Sequence, residues 1–473
     1  MRQYLAALLA IGTFGTTLRA DPPMNLPTSA PRPIPVTRPE MKEFLEQMKV
    51  RRLRIPLPEL TDAEKEKLGG RGGGYESRLR ALYMPGGGDG KGGGGGAFGF
   101  GGEKEGGMSL DYAFKTQMFW IVCRTNNCQY CQGHQESKLL RAGLTEEQIA
   151  SLDGDWSGFT AKERAAFAFA RKITYEPHRF TDADIAALKE HYSDLQILEM
   201  IMSVAGNNAI NRWKEGAGIP QNEGSGGFGF GAKGGEKGGE TGGAKAGEKH
   251  TYLTPTAEKY KTSISKVAPL EFDAKGQPTR ATVNRRPALE SRAEAEKALA
   301  AAKTRTPRLP LVEDAKARAI LPEDWAAGPL PQWVRLLANF PGQGKGRILS
   351  QRSSETRGDL TPLLKAQASW IIARQDRAWY AAGEAKRRLN ALGQTDDQVY
   401  RLDGDWAGYT PTERAMFTVA RNLASSPVVL TDDEVDAAVK LAGPRDVVQL
   451  INYVTVRASF DRITEAAGLQ LEP

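Results

Sequence analysis

The chain repeats itself at an offset of 250 residues. LDGDWSGFTAKERAAFAFAR begins at Leu152, and LDGDWAGYTPTERAMFTVAR begins at Leu402. Upstream of these segments KTQMFWIVCR faces KAQASWIIAR, and the alignment extends from 109–220 to 359–470 without a gap. A solenoid has a much shorter period, so this spacing predicts a duplicated domain.

Helix-start signals recur in both copies. A threonine followed three residues later by Glu or Gln is a capping box, and four such boxes begin at Thr145, Thr160, Thr395 and Thr410. Thr181 and Thr431 each open a further helix with acids in its first turn. Apolar residues in segments such as ERAAFAFARKI have helical spacing, and neither copy contains a convincing strand. We therefore predict an all-α protein with two tandem helical-bundle domains.

The glycines predict the domain boundaries. Much of the excess among the 52 glycines lies in two tracts that lack the apolar residues needed for a core. Neither tract has the strand-then-helix setting of a phosphate loop, so we exclude nucleotide binding. A polar stretch at 288–303 predicts a helix that leads into the second copy. The predicted order is a Pro-rich linker at 21–40, a first domain at 41–220 with a Gly-rich insertion at 86–107, a Gly-rich and polar linker at 221–287, and a second domain at 288–473.

The first twenty residues have the layout of a signal peptide. Arg2 precedes an apolar run that is too short to span a bilayer, and Ala20 is a suitable cleavage residue. We therefore predict an exported protein, periplasmic or extracellular, with residues 1–20 removed. The formal charge of +7 would fall to +5, and basic residues alternate with acids, which argues against a nucleic-acid partner.

NNCQYCQGH at 126–134 holds two of the three cysteines and one of the four histidines. The two asparagines favour a turn, so we expect Cys128 in the first turn of a new helix, where the helix dipole lowers thiol pKa values. The i, i+3 spacing puts the sulfurs of Cys128 and Cys131 within bonding reach. The next such step places His134 beside Cys131, where an imidazole can exchange a proton with the thiol. These are the parts of a dithiol redox site.

Other interpretations of this segment stay open. Cys123, Cys128, Cys131 and His134 are four potential zinc ligands, but ligands crowded onto one helix turn converge poorly on a tetrahedron, so we predict no metal. A haem attachment needs CxxCH, and Gln132 follows the second cysteine. An inert disulfide or buried free thiols remain an alternative.

The second copy is an internal control. It carries Ala373, Ala378, Ala381 and Glu384 in place of the three cysteines and His134. Loss of all four together indicates that they function as a unit which the fold does not need. The aspartates and tryptophan of LDGDW occur in both copies, so we expect Asp153, Asp155 and Trp156 and their counterparts to shape a loop.

NNCQYCQGH, followed by AGLTEEQI and FTAKERAAFAFARKIT, resembles the carboxymuconolactone decarboxylase family, in particular its alkyl hydroperoxidase D-like branch with CxxC. The resemblance implies small all-helical domains that oligomerise. It also implies that Cys131 attacks peroxide and Cys128 resolves the product. The family's relay histidine and glutamate usually stand where this chain has Gln135 and Thr116, so the proton relay is incomplete or rebuilt.

We therefore expect an exported, thiol-dependent oxidoreductase with peroxidase or antioxidant activity through Cys128, Cys131 and His134. Its substrate would be a peroxide or a disulfide, an unidentified thiol would donate electrons, and the redox-active disulfide would replace any separate cofactor. The two copies would pack as an intrachain pseudo-dimer that can form homo-oligomers. The alternatives are a non-catalytic helical scaffold with a structural disulfide, and a lactone decarboxylase or isomerase whose base the sequence does not locate.

Overall fold

A computed structural model describes residues 28–63, 74–85, 107–221, 254–283, 288–325 and 327–472. The predicted signal peptide, nearly all of the insertion at 86–107 and the Gly-rich part of the linker lie outside these ranges. The described residues are mostly helical, and their strands form one antiparallel pair, in which Glu271 is opposite Thr279. The predicted all-α class is confirmed.

The N-terminal half contains eight helices within the described ranges. They are α1 (Arg38–Gln47), α2 (Tyr75–Tyr83), α3 (Tyr112–Asn126), α4 (Gln129–Arg141), α5 (Glu146–Ser151), α6 (Ala161–Tyr175), α7 (Asp182–Lys189) and α8 (Asp194–Ala217). Short 3₁₀ turns at Met48–Val50 and Pro177–Arg179 follow α1 and α6. We call α3–α8 the first helix set.

The C-terminal half begins with a 3₁₀ turn at Glu258–Tyr260 and the strand pair β1 (Glu271–Phe272) and β2 (Pro278–Thr279). Its helices are α9 (Arg292–Ala302), α10 (Asp314–Arg318), α11 (Gln332–Leu337), α12 (Gln343–Thr356), α13 (Pro362–Asp376), α14 (Trp379–Ala391), α15 (Asp396–Arg401), α16 (Pro411–Ala424), α17 (Asp432–Ala442) and α18 (Pro444–Ala466). We call α13–α18 the second helix set.

Helix boundaries follow the 250-residue offset of the sequence. α3 and α13 begin at residues 112 and 362, α4 and α14 begin at 129 and 379, and both pairs end in register. Each of the four predicted capping boxes is formed, and Thr181 and Thr431 form two more. The polar helix predicted at 288–303 is α9, which a Ser291 capping box begins. The helix starts predicted from these capping residues are therefore confirmed.

The two helix sets contact each other through α8 and α18. Arg212 of α8 donates a hydrogen bond to the Ala424 carbonyl at the end of α16, at 2.9 Å. Arg462 of α18 donates to the Thr174 carbonyl near the end of α6, at 3.1 Å. Each guanidinium thus contacts the negative end of a helix in the other set, where cations are stabilising. Buried apolar residues of both sets belong to one continuous core.

Two segments depart from the predicted linkers. α1 begins at Arg38, inside the Pro-rich stretch predicted at 21–40, because Thr37 caps it in a capping box with Glu40. In the linker predicted at 221–287, Val267 is fully buried in the main core. Although both segments are rich in polar residues, their few apolar residues pack against the first set. None of the helices in the described ranges is both long and apolar enough to cross a membrane.

Candidate functional site

The three cysteines lie at the junction of α3 and α4. Cys123 is in the last turn of α3, Cys128 is the N-cap of α4, and Cys131 is the third residue of α4. Asn127 ends α3 in the left-handed conformation with φ 56°, which asparagine tolerates better than most residues. The Cys128 N–H donates to the Cys123 carbonyl at 2.9 Å. Cys128 therefore lies one residue before its predicted place in the first turn.

We call the three thiols the thiol row. The Cys131 thiol interacts electrostatically with the thiols of both Cys123 and Cys128. Asn211 of α8 donates from Nδ2 to Cys123 Sγ at 3.5 Å, and its carbonyl oxygen lies 4.0 Å from Cys128 Sγ. All three are free thiols. The arrangement places Cys131 beside two sulfurs, of which Cys128 is its partner in the CxxC pair.

Burial raises the pKa of every thiol in this row, which contradicts the prediction of a lowered pKa. Cys123 and Cys128 are 0% exposed and Cys131 is 2% exposed. Desolvation raises the pKa of Cys128 and Cys131 well above the ordinary value of 9.0. The dipole of α4 does favour a thiolate, but loss of water costs a charged sulfur more. The resting site therefore holds protonated thiols that are closed to solvent, not the open thiolates that the sequence suggested.

His134 is not placed to exchange protons with Cys131. Its half-buried ring stacks on Tyr130, with centroids 4.6 Å apart, and Nδ1 lies 3.0 Å from the Tyr130 carbonyl oxygen. The Gln221 amide is a second neighbour, 3.4 Å from the same nitrogen. Nδ1 therefore faces Tyr130 and Gln221 rather than a cysteine. The helical spacing was correct, but stacking on Tyr130 turned the ring away.

Lys138 is a titratable neighbour of the thiols that sequence reasoning missed. It follows Cys131 by two turns of α4, and its ammonium interacts electrostatically with Cys131 and Cys123. Burial lowers the Lys138 pKa, while the cysteines raise it. The available signals were this i, i+7 spacing and a basic counterpart, Arg388, at the same offset.

The two positions at which the sequence resemblance implied a proton relay carry no ionisable group. Thr116 donates from Oγ1 to the Tyr112 carbonyl at 2.7 Å, and Gln135 donates from Nε2 to the Cys131 carbonyl at 3.3 Å. Both side chains therefore bond to the backbone of their own helix. This leaves Lys138 as the charged side chain of α4 that acts on these thiols.

A patch of unsatisfied polar groups lies on α8 close to the thiols. Ser203 and Asn207 are fully buried, and none of their side-chain polar atoms has a hydrogen-bond partner among the described residues. Asn207 precedes the Cys123 partner Asn211 by one helical turn. Buried polar atoms are rarely left unpaired, so this patch is suited to a small polar molecule or water.

The same junction in the second set keeps its backbone without the sulfurs. Ala378 has φ −85° and ψ 89°, against −87° and 88° for Cys128, and its N–H donates to the Ala373 carbonyl at 2.8 Å. Ala373, Ala378 and Ala381 are all buried. The helix junction therefore forms with methyl groups in place of thiols.

Larger side chains, one of them charged, occupy the second set where the first has small ones. Tyr453 and Arg457 stand at the positions of Ser203 and Asn207. They join an ion-pair network in which Glu355 accepts from Tyr453 at 2.8 Å and Arg457 pairs with Glu384 at 3.1 Å. In the second set, Tyr453 Oη and the terminal nitrogens of Arg457 therefore have partners at these positions, while Arg457 Nε has none among the described residues.

Asp155 and its counterpart Asp405 shape a loop, as the sequence predicted. Their Oδ1 atoms accept the backbone N–H two residues later, at 3.0 Å and 3.1 Å. Trp156 and Trp406 share a φ of 61° and donate from Nε1 to a carbonyl four residues earlier. These residues have a structural role in both sets.

The model of the carboxymuconolactone decarboxylase family matches residues 121–172. The matched stretch begins in α3, contains all three cysteines and ends in α6. No curated protein is similar enough to the chain to count as a match. The family match therefore covers the candidate site of the first set, while derivation of the second set from the same family stays a prediction.

Proposed function

We propose that the protein is an exported thiol-dependent oxidoreductase resembling the alkyl hydroperoxidase D-like branch of this family. The observation that carries the proposal is the thiol row, in which Cys131 interacts with the buried thiols of Cys123 and Cys128 at the N-terminus of α4. The row lies inside the family match, and the second helix set keeps the fold without it. The fold forms without the three cysteines, yet they lie together in the first set. This supports a chemical role for them.

The proposed reaction uses both thiols of the CxxC pair. Cys131, as thiolate, attacks one peroxide oxygen, the O–O bond breaks, and an alcohol or water leaves with the proton that Cys131 has lost. The resulting sulfenic acid condenses with the Cys128 thiol to give a disulfide and water. An external dithiol then reduces this disulfide by exchange and leaves as its own disulfide. Lys138, in place of His134, would stabilise the negative charge on sulfur.

Turnover requires the cover over the thiols to open. Asn127 donates from Nδ2 to the carbonyls of Arg32 and Pro33, both at 3.1 Å, and Gln129 donates to Pro33 at 3.4 Å. These bonds hold residues 32–33 across the start of α4. Such bonds contribute about 0.5–1.5 kcal/mol each, so the cover can open transiently. Because the thiols react only while it is open, we expect a slow reaction at neutral pH.

The test is consumption of hydrogen peroxide or an alkyl hydroperoxide by the full chain with a dithiol reductant. Wild-type protein should turn over, whereas Cys131→Ser should be inactive and Cys128→Ser should stop after one equivalent. His134→Ala should keep most of the activity, because its ring faces Tyr130. Equal rates for wild type and Cys131→Ser would remove the proposal.

The second candidate is a non-catalytic scaffold, which the complete burial of the thiols favours. In it the two sets would serve as an intrachain pseudo-dimer, and the reciprocal contacts of Arg212 and Arg462 are of the kind that twofold-related units exchange. Homo-oligomers could extend this interface. Absence of peroxide and disulfide turnover, together with unchanged folding of a variant lacking all three cysteines, would support this candidate.

A further inference from the structure

Residues 265–267, which follow the first helix set in the chain, fill a groove on that set. Ser265 donates from its hydroxyl to the Asp153 carboxylate, and the Lys266 N–H donates to the Asp153 carbonyl at 2.8 Å. Arg171 donates from Nε to the Val267 carbonyl at 3.1 Å. We call this site, between Asp153 and Arg171, the covered groove. It binds a bent peptide segment by its backbone, one hydroxyl and one buried aliphatic side chain, and the Ser265 hydroxyl also accepts from the Val267 and Ala268 N–H groups at 3.2 Å and 2.9 Å.

Among the described residues, no segment fills the equivalent site in the second set as residues 265–267 fill the first. Asp403 and Arg421, at an offset of 250 from Asp153 and Arg171, line a cavity of about 390 Å³. Trp406 lies on one wall, and Leu289 borders the cavity. We call this cavity the open groove. An aspartate and an arginine hold the peptide in the covered groove. The open groove has the same two residue types at the corresponding positions of the second set.

Arg421 and Asp403 of the open groove can form further hydrogen bonds. Arg421 stacks on Trp406 at 4.4 Å, and its one hydrogen bond within the described residues is a long contact to Asn422, at 3.4 Å. The Asp403 carboxylate accepts one bond each from Trp370 and Arg374, at 2.8 Å and 2.9 Å, and a carboxylate can accept about four. Its carbonyl, whose counterpart binds Lys266, accepts no hydrogen bond from a described residue.

We propose that the open groove binds a bent peptide segment of a partner protein, with a serine or threonine two residues before a valine or similar aliphatic residue. The hydroxyl would donate to the Asp403 carboxylate and the next N–H to its carbonyl. The aliphatic residue's carbonyl would accept from Arg421, and its side chain would pack on the apolar lining residues Ile371, Leu402 and Val429. The covered groove binds Ser265–Val267 through these same three groups. The proposal involves none of the thiols.

A labelled peptide of residues 264–270, ISKVAPL, tests this proposal against the intact chain by fluorescence polarisation. We expect one saturable site per chain. Arg421→Gln should weaken binding at least tenfold, because it removes the donor to the peptide carbonyl. The matched change Arg171→Gln lies in the covered groove and should leave the affinity unchanged. Circular dichroism of both variants checks that they fold.

Peptide variants make the test independent of any protein variant. Replacing the valine by aspartate or the serine by alanine should each weaken binding to the wild-type chain. Absence of saturable binding at millimolar peptide would overturn the proposal, as would equal binding of the valine-to-aspartate peptide. Loss of binding in Arg171→Gln but not in Arg421→Gln would also overturn it, because the peptide would then be exchanging with residues 265–267.

Discussion

The two helix sets share a backbone and differ in what they bury. Both begin their helices at corresponding residues, form the same capping boxes and turn from their first to their second helix with nearly equal dihedral angles. The first set buries three thiols beside small polar residues, whereas the second buries alanines beside an ion-pair network. The shared caps and turns therefore specify the fold, and the buried side chains are free to differ.

The sets also differ in buried charge at their mutual interface. In the second set Arg462 forms a fully buried ion pair with Asp376, with nitrogen–oxygen distances of 2.9 Å and 3.3 Å. The first set has Asn126 at the position of Asp376, and Arg212 bonds to carbonyls, Asn208 and the Ser426 hydroxyl. On the side of the second set the interface thus contains a charge pair, and on the side of the first set it contains an arginine bonded to neutral groups.

The largest expected effect follows from that contrast. Arg462→Ala removes the counter-charge of a buried carboxylate and should lower the free energy of unfolding by about 3–5 kcal/mol. Arg212→Ala removes bonds to neutral partners and should cost about 1–3 kcal/mol. Urea unfolding followed by circular dichroism measures both. Equal losses would show that the charge pair does not distinguish the interfaces.

The pH dependence of thiol alkylation is the next largest effect. Because burial raises the pKa of Cys128 and Cys131, the thiolate fraction below that pKa grows about tenfold per pH unit. Native protein should therefore react with iodoacetamide about a hundredfold faster at pH 9 than at pH 7. The unfolded chain, with ordinary thiols, should level off near its pKa. A rate that is flat between pH 7 and 9 in the native protein would contradict raised pKa values.

Asn127→Gly should loosen the cover over the thiols. Glycine keeps the left-handed backbone but loses both side-chain bonds to residues 32–33. We expect alkylation to accelerate about tenfold, the equivalent of about 1.4 kcal/mol. Arg377→Gly, at the matching left-handed position of the second set, is the control and should leave the rate unchanged. Equal acceleration by both variants would indicate general destabilisation.

The smallest effect concerns Lys138. Lys138→Met keeps the aliphatic stem but removes the positive charge that lowers the Cys123 pKa, so thiolates should be scarcer. We expect native alkylation at pH 8 to slow about threefold, corresponding to half a pKa unit. Arg388→Met in the second set has no thiols nearby and should not alter the rate. Faster alkylation in Lys138→Met would contradict its proposed role.

Local sequence signals predicted the helices well, because caps and apolar spacing act within a few residues. Thr145, Thr160 and their counterparts are examples, and the meeting of Cys128 with Cys131 follows from their i, i+3 spacing. The chemical state of the site could not be predicted in this way. The raised thiol pKa values arise from burial beneath distant segments, and the orientation of His134 arises from contacts with Tyr130 and Gln221.

Redox titration of the native chain, with disulfides mapped by mass spectrometry, tests the central claim most directly. We predict one reversible disulfide between Cys128 and Cys131, with a reduction potential between about −270 and −120 mV, the range of thiol catalysts. Formation of that disulfide should leave the circular dichroism spectrum unchanged. A potential below about −300 mV, or no disulfide until the chain unfolds, would contradict the claim and favour the scaffold.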